Sequence, residues 1–533
     1  MGASGGRPAT TTTQEDVTVA YQVKAREVEW NPGAQRLREL TEAMPNAQLT
    51  EFGNVNVRAR VDSRSSKSTF VVDDSTNMRD KTITREEYDR LAALQEAHLE
   101  TAHVVVVDGW IGSDPDFRTR ARLVMDARNA NVAGMQRQLY YPLTEDGSHL
   151  GTDPGDEPAT TIVYTPNLPV EGYPDDRCIA VDLKNNVTRV MNSDYFGESK
   201  KGGLRMWNEI VYNRGGLALH AGAKVIPVDG TDKTVLIVGL SGTGKTTTTF
   251  TSQLGSKPVQ DDFIALMPGG TVYTSENGCF AKTFALDPQY EPAIHSATTQ
   301  PDAYLENVSV DETGQVDFFD TGYTKNGRTT WPFSHVDPAD PSRLRPAEAL
   351  LILNRNSNVV PGVARLDPAQ AAAYFMLGET TGTSAGGKDE EGRSLRVPGT
   401  NPFFPRDMAD MGNRMLELLD EHPIDVYVLN TGRVGGEEHD ERSLKIKIPH
   451  SSALVEAIAT DSIEWETDPD FGYDVATAVP GVDDEGLLQP RKLYERQDRA
   501  DEYRAHVERL KTERRAFLEG FPGLDDRIVK SIG

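Results

Sequence analysis

The run Gly239-Leu240-Ser241-Gly242-Thr243-Gly244-Lys245-Thr246 constrains this chain more than any other feature. It fits GxxxxGK[ST] and follows the apolar stretch 234–240, so a buried strand, a glycine-rich turn and a Thr-rich helix start are predicted in that order. Glycines there allow positive φ, which turns successive backbone N–H groups inward around phosphate oxygens. Lys245 is then placed to reach the β- and γ-phosphates of a nucleoside triphosphate. The Thr246 hydroxyl is placed to ligate Mg²⁺. A plain glycine-rich turn would need neither the preceding strand nor the Lys-Thr pair.

Two features beside the loop narrow the chemistry. Asp261-Asp262 stands just before the apolar segment 263–267. Such a pair alone is usually a surface turn; next to a phosphate loop it suits a divalent cation, because hard cations prefer oxygen ligands. Upstream, Tyr195-Phe-Gly-Glu-Ser-Lys200-Lys201-Gly-Gly precedes Leu217-Ala-Leu-His220-Ala. A lone histidine in an apolar strand is ordinarily a satisfied core residue, and adjacent lysines ordinarily face solvent. Lysine is scarce here, however, at 18 of 56 basic residues, which weakens the solubility explanation for Lys200–Lys201.

Around these motifs the chain reads as α/β. Residues 84–101 have an N-cap Thr, early acids and 3.6-residue apolar spacing, predicting an amphipathic helix. Strands are predicted at 103–112, 160–166, 177–183, 349–355 and 426–430. The segment 382–394 is glycine-rich and charged, predicting a mobile loop. Helical spacing with dense charge over 493–518 predicts a surface helix packed on the second domain. Residues 1–15 read as a disordered tail without an apolar signal core. A first domain over 16–225 and a second over 226–533, with a mobile loop near 382–396, are expected.

Charge and cysteine count exclude other classes. The net charge of −26 repels phosphate backbones, so nucleic acid is not an expected partner. It suits an acidic surface of halophilic type, whose self-repulsion salt screens. Two cysteines, Cys178 and Cys279, rule out a disulfide framework and a Cys-based zinc site. No apolar run approaches the roughly 20 residues that span a bilayer. A cytoplasmic protein with no membrane and no protein partner is expected.

Taken in order, Gly-Glu-x-Lys-Lys-Gly, the apolar His220 strand, the phosphate loop, Asp261-Asp262 and Gly278-Cys-Phe-Ala-Lys282-Thr resemble ATP-dependent phosphoenolpyruvate carboxykinase. Glu291-Pro, Leu305-Glu-Asn-Val, Asn326-Gly-Arg328-Thr and Asn430-Thr-Gly extend the resemblance over about residues 50–520. It implies an N-terminal α/β domain and a C-terminal mixed α/β phosphate-loop domain, with the active site in the cleft between. It implies the conversion of oxaloacetate and ATP to phosphoenolpyruvate, CO₂ and ADP, with Mg²⁺ on the nucleotide and Mn²⁺ at the substrate. An enolate attacks the γ-phosphate in that reaction.

By position, Lys201, His220 and Asp262 would hold the second metal. Arg64 would bind a substrate carboxylate and Tyr195 would sit near the leaving CO₂. Lys245, Lys282 and Arg328 would neutralise the transferring phosphoryl group, Thr246 would hold Mg²⁺ with Asp261 behind it, and Glu291, Lys445 and Ser451 would contact the nucleotide. The loop lacks the Cys of the GTP-dependent type, so ATP is the expected nucleotide. Three departures stand out. Ser63-Arg-Ser-Ser-Lys-Ser replaces the usual Gly-Arg-Ser-Pro-Lys-Asp, Gln260 replaces a common Gly, and Lys445 stands where Arg is usual. Two alternatives remain open from the residues. One is a protein kinase of the bacterial HPr kinase type, which needs neither Lys201–His220 nor Arg64. The other is a nucleotide-gated regulator that binds ATP without turnover.

Overall fold

The computed structural model describes residues 21–72, 81–143, 158–240, 242–381 and 394–532. The expected N-terminal tail, Ser241 and most of the glycine-rich segment near 382–396 lie outside the described residues. Among the described residues the chain is a mixed α/β structure with two eight-stranded sheets, a five-stranded sheet and several smaller ones. No described helix is long and apolar enough to cross a membrane.

One eight-stranded sheet carries the phosphate loop. Its strand Thr231–Val238 lies antiparallel to Ala221–Val228 and parallel to Ala349–Asn354, which in turn runs parallel to Asp425–Asn430. The inner stretches of these strands are apolar, as strands covered on both faces must be, and Leu236, Ile237, Leu351 and Leu429 are fully buried. The three parallel strands end together at Val238, Asn354 and Asn430. Their C-terminal ends form the kind of crevice where open α/β sheets bind ligands.

The other eight-stranded sheet is built from the first 191 residues, with His103–Ile111 and Thr119–Asp126 inside it. The helix Arg85–Leu99 starts where its spacing predicts. Thr84 caps it by accepting from Glu87 N–H, and Tyr88, Leu91, Gln95 and Leu99 make its buried stripe.

The five-stranded sheet joins distant sequence. Gly278–Lys282, Arg328–Pro332 and Tyr304–Glu306 pair side by side, and Val55–Val57 then lies parallel to Tyr304–Glu306. A boundary at 225/226 therefore falls inside the strand Ala221–Val228, while residues 47–57 share a sheet with residues 278–332.

The helical pattern over 493–518 resolves into two helices, Pro490–Arg496 and Ala500–Glu519. They separate at Asp498, whose φ of 55° cannot continue a right-handed helix. The longer helix buries Arg514 against Glu379 with an Nη2–Oε2 distance of 2.7 Å. Arg396 Nε also donates to Glu379, at 3.0 Å. Glu379–Thr381 and Ser394–Arg396 pair antiparallel, so both flanks of the glycine-rich segment are tied down at one carboxylate.

Candidate active site

The phosphate loop is shaped by glycines at the two positions that need them. Gly242 and Gly244 have φ of 87° and 97°, a region that costs other L-residues about 1–2 kcal/mol. Thr431 Oγ1 braces the loop from outside by donating to the Thr243 carbonyl at 2.7 Å. Asn430 fixes that brace: its amide donates to Val360 O at 2.9 Å, and its Oδ1 accepts from Gly432 N–H at 2.9 Å. The Asn430-Thr-Gly motif thus acts as a buttress behind the loop.

Asp262 is the electrostatic centre. Lys245 Nζ lies 2.5 Å from its Oδ1, and His220 Nε2 lies 2.8 Å from the same oxygen. Lys200 Nζ lies 2.8 Å from Oδ2, which also pairs with Lys201 Nζ. Burial works against its charge, yet Lys200, Lys201 and Lys245 together hold the Asp262 carboxyl well below its usual range. The two adjacent lysines diverge. Lys200 also bonds Glu276 at 3.0 Å, and these acids outweigh burial and push its ammonium up. Lys201 faces the cleft, and burial, assisted by Lys200 and Lys245, pulls it down to about 7 against the pull of Asp262.

His220 is held neutral. Burial, then Lys245, lowers it to about 3. Its Nδ1 lies 2.7 Å from the Thr400 carbonyl, a contact that needs the proton on Nδ1; in the neutral ring Nε2 then meets the Asp262 carboxylate as a second acceptor, an arrangement a cation between the two would relieve. Lys201 and His220 therefore bring one amine and one imidazole nitrogen to the two oxygens of the Asp262 carboxylate. This donor set suits a divalent transition metal. Among the described residues no group of three or more His, Cys, Asp or Glu side chains is arranged to hold a metal; this cluster counts a lysine among its three. Asp261 is buried, and burial followed by its neighbour Asp262 raises its carboxyl, while a hydrogen bond to Thr246 works the other way.

A cavity of about 230 Å³ opens in front of this cluster, and Arg64, Tyr195, Lys201, Lys245, Lys282 and Arg328 all line it. Thr246, Asp261 and Glu291 reach the same cavity. The helix Phe196–Asn213, which carries both lysines, is fixed at its start by Phe196 N–H donating to the buried Glu306 at 2.8 Å. Arg64 sits on a turn anchored to that helix, where Ser65 N–H donates to Glu198 Oε1 at 2.6 Å. Lys282 and Arg328 are cross-strand partners in the five-stranded sheet. Arg328 donates to Asn326 Oδ1 at 2.8 Å and covers the Phe280 ring at 5.2 Å. Burial raises the Tyr195 phenol. The Thr247 hydroxyl donates to Glu291.

A second pocket opens on the other side of the loop. Gly242, Gly244, Thr247, Gln253, Ile446 and Ser451 are among its walls. Gly239 and Leu240 lead into the loop from the strand. Lys445 does not line this pocket. It is exposed on the short strand Leu444–Lys445, paired with Arg433. In extended backbone, neighbours point to opposite faces; buried Ile446 takes the pocket side and Lys445 the other.

Sequence reasoning missed several contributors. Glu276 and Thr400 complete the charge and tautomer network, and Phe403 lies under Lys201 at 4.7 Å. Thr400 acts through its carbonyl, which has no side-chain signature. Glu276 and Phe403 lie outside every recognisable motif.

Residues 26–485 match the phosphoenolpyruvate carboxykinase family. Among curated relatives, a phosphoenolpyruvate carboxykinase (ATP) of Brucella anthropi is 31% identical over 87% of each chain. One of Nitrobacter hamburgensis is 31% identical over 88% of each, and one of Bradyrhizobium diazoefficiens is 29% identical over 89% of each.

Proposed function

Because the chain belongs to the ATP-dependent phosphoenolpyruvate carboxykinase family, and is a carboxy-lyase turning oxaloacetate and ATP into phosphoenolpyruvate, CO₂ and ADP, we propose a division of this work among its cleft residues. The observation that carries it is the convergence of Lys201, His220 and Lys245 on Asp262, between the phosphate loop and Arg64.

The donor set fits a divalent ion: His220 offers its Nε2 lone pair, Lys201 is near neutrality, and Asp262 is ionised. When bound, Mn²⁺ on these three and Mg²⁺ on the nucleotide beside Thr246 supply positive charge to the enolate oxygen and the phosphates respectively. Asp261 orients Thr246 from behind.

The protein's own groups do the rest. The planar fork of Arg64 holds a carboxylate of oxaloacetate. Tyr195 faces the carboxyl that departs. As that C–C bond breaks, its electron pair passes to the enolate and CO₂ leaves. The enolate oxygen then attacks the γ-phosphorus and the bond to ADP breaks. Lys245, Lys282 and Arg328 neutralise the phosphoryl oxygens through this loose transfer, in which positioning and electrostatics dominate. Phe280, Phe284 and Phe403 give the cavity apolar walls that keep water from protonating the enolate to pyruvate. The cleft between a substrate-side domain and a nucleotide-side domain belongs to this reading. So does a cytoplasmic location. Ser451 lines the pocket assigned to the base, with Glu291 nearer the ribose and phosphates.

A coupled assay for phosphoenolpyruvate from oxaloacetate, ATP, Mg²⁺ and Mn²⁺ in high salt tests the proposal. Product that requires both nucleotide and divalent ion is expected. ATP binding without oxaloacetate consumption would favour the nucleotide-gated regulator instead.

A further inference from the structure

Lys224 is a fully buried lysine that the cleft chemistry does not use. It stands on Ala221–Val228 with no carboxylate beside it, so burial pulls it down to about 7; three oxygens surround its nitrogen, a geometry that calls for the protonated form with all three N–H groups engaged. It donates to Thr248 O at 3.1 Å, Thr251 O at 2.6 Å and Gln253 Oε1 at 2.6 Å. The first two acceptors are carbonyls at the end of the phosphate-loop helix Lys245–Phe250. A cation there complements the unsatisfied carbonyls of the last turn.

The third acceptor has a further consequence. Gln253 is only 2% exposed, yet it lines the pocket beside the phosphate loop. Its backbone N–H donates to Ser256 Oγ at 3.0 Å, which fixes where the side chain starts. An amide can present either end to a partner, but here a flip would set an NH₂ group against an ammonium. Lys224 therefore holds Oε1 inward and turns Nε2 outward. Nε2 spends one proton on Ser452 Oγ at 3.0 Å, at the start of the helix Ile448–Ala459. It has a second N–H to offer.

We propose that Lys224 and Gln253 form a base-reading pair, in which Lys224 is the positioning residue and the second Nε2–H of Gln253 donates to a ring-nitrogen acceptor of the nucleotide's purine. This rests on the pocket lined by Ser451 being the base site. A donor fixed before binding loses no rotamer freedom when the base arrives, and rejects ligands lacking the matching acceptor.

Gln253→Glu separates this role from a structural one. The carboxylate keeps or strengthens the contact with Lys224 but cannot donate. ATP affinity, measured by calorimetry, should weaken about tenfold. Inorganic tripolyphosphate, which has no base, should bind as before, and the thermal midpoint should hold or rise. In turnover the loss should fall on KM for ATP more than on kcat. Lys224→Met should weaken ATP in the same direction, and Gln253→Glu carries the test if that variant does not fold. Unchanged ATP affinity in Gln253→Glu overturns the proposal, as does an equal loss for ATP and tripolyphosphate. Ser451→Trp, which fills the pocket, identifies the other failure. If it leaves ATP binding intact, the base does not enter this pocket, and the reading of the site falls before the pair is judged.

Discussion

Asp262→Asn is the sharpest test of the cleft. The wild-type carboxylate is the only anion among the three donors assigned to the metal, and it faces Lys200, Lys201, Lys245 and His220 at once. A unit charge pair at about 4 Å is worth about 4 kcal/mol at an effective dielectric constant near 20, so the anion dominates the local field. The amide keeps the shape and removes the charge. Lys200 retains Glu276, so that lysine stays compensated. Lys201 loses the one large influence that raises it and becomes more fully neutral. Lys245 is released and remains available to phosphate. Turnover should therefore fall by about 10²–10³, or about 2.7–4 kcal/mol, the usual loss for one preorganised electrostatic element. ATP affinity should not weaken, and Mn²⁺ binding followed by electron paramagnetic resonance should fall with turnover. Calorimetry for ATP and a thermal melt separate these effects from unfolding. Turnover within a few-fold of wild type in Mn²⁺ would refute the metal assignment, and a matching loss of ATP affinity would move Asp262 to the nucleotide.

Further outcomes follow from the same geometry. Arg64→Lys should raise KM for oxaloacetate and lower kcat while hardly changing ATP affinity, because an ammonium cannot reproduce a planar fork; unchanged oxaloacetate kinetics would point to Arg328 as the carboxylate ligand. Glu379→Gln should cost about 3–5 kcal/mol in a denaturant melt, since it strands the buried Arg514. Although burial opposes it, Arg514 and Arg396 hold Glu379 below its ordinary value. Its contribution is therefore complete above about pH 4.3, is lost as pH falls through the lowered value, and should be missing from the variant's acid profile. With a net charge of −26, the thermal midpoint should rise across a salt series, and a flat or falling series would remove the halophilic reading. The ratio of kcat/KM for ATP and GTP should favour ATP.

Chemistry carried by contiguous residues was legible in the sequence, and chemistry carried by pairing across the chain was not. The phosphate loop declares itself because its strand, glycines, Lys245 and Thr246 must be adjacent for the backbone to wrap a phosphate. The helix Arg85–Leu99 is equally local, being set by its cap and its apolar stripe. Arg64 reaches the same cavity as Lys245 only because residues 47–57 join a sheet formed by residues 278–332, a long-range pairing with no local signal. The division of labour between Lys200 and Lys201 is intermediate. Successive helix positions differ by about 100°, yet both long side chains reach Asp262 Oδ2. Only the location of Glu276 decides that Lys200 is the structural one and Lys201 the one left toward the cleft. Lys445 and Ile446 differ likewise: in extended backbone neighbours alternate by 180°, so the first is exposed and the second buried. For a site built from several strand ends, motif order therefore constrains which segments meet, while burial and the partner across the sheet decide which side chain of each segment does the work.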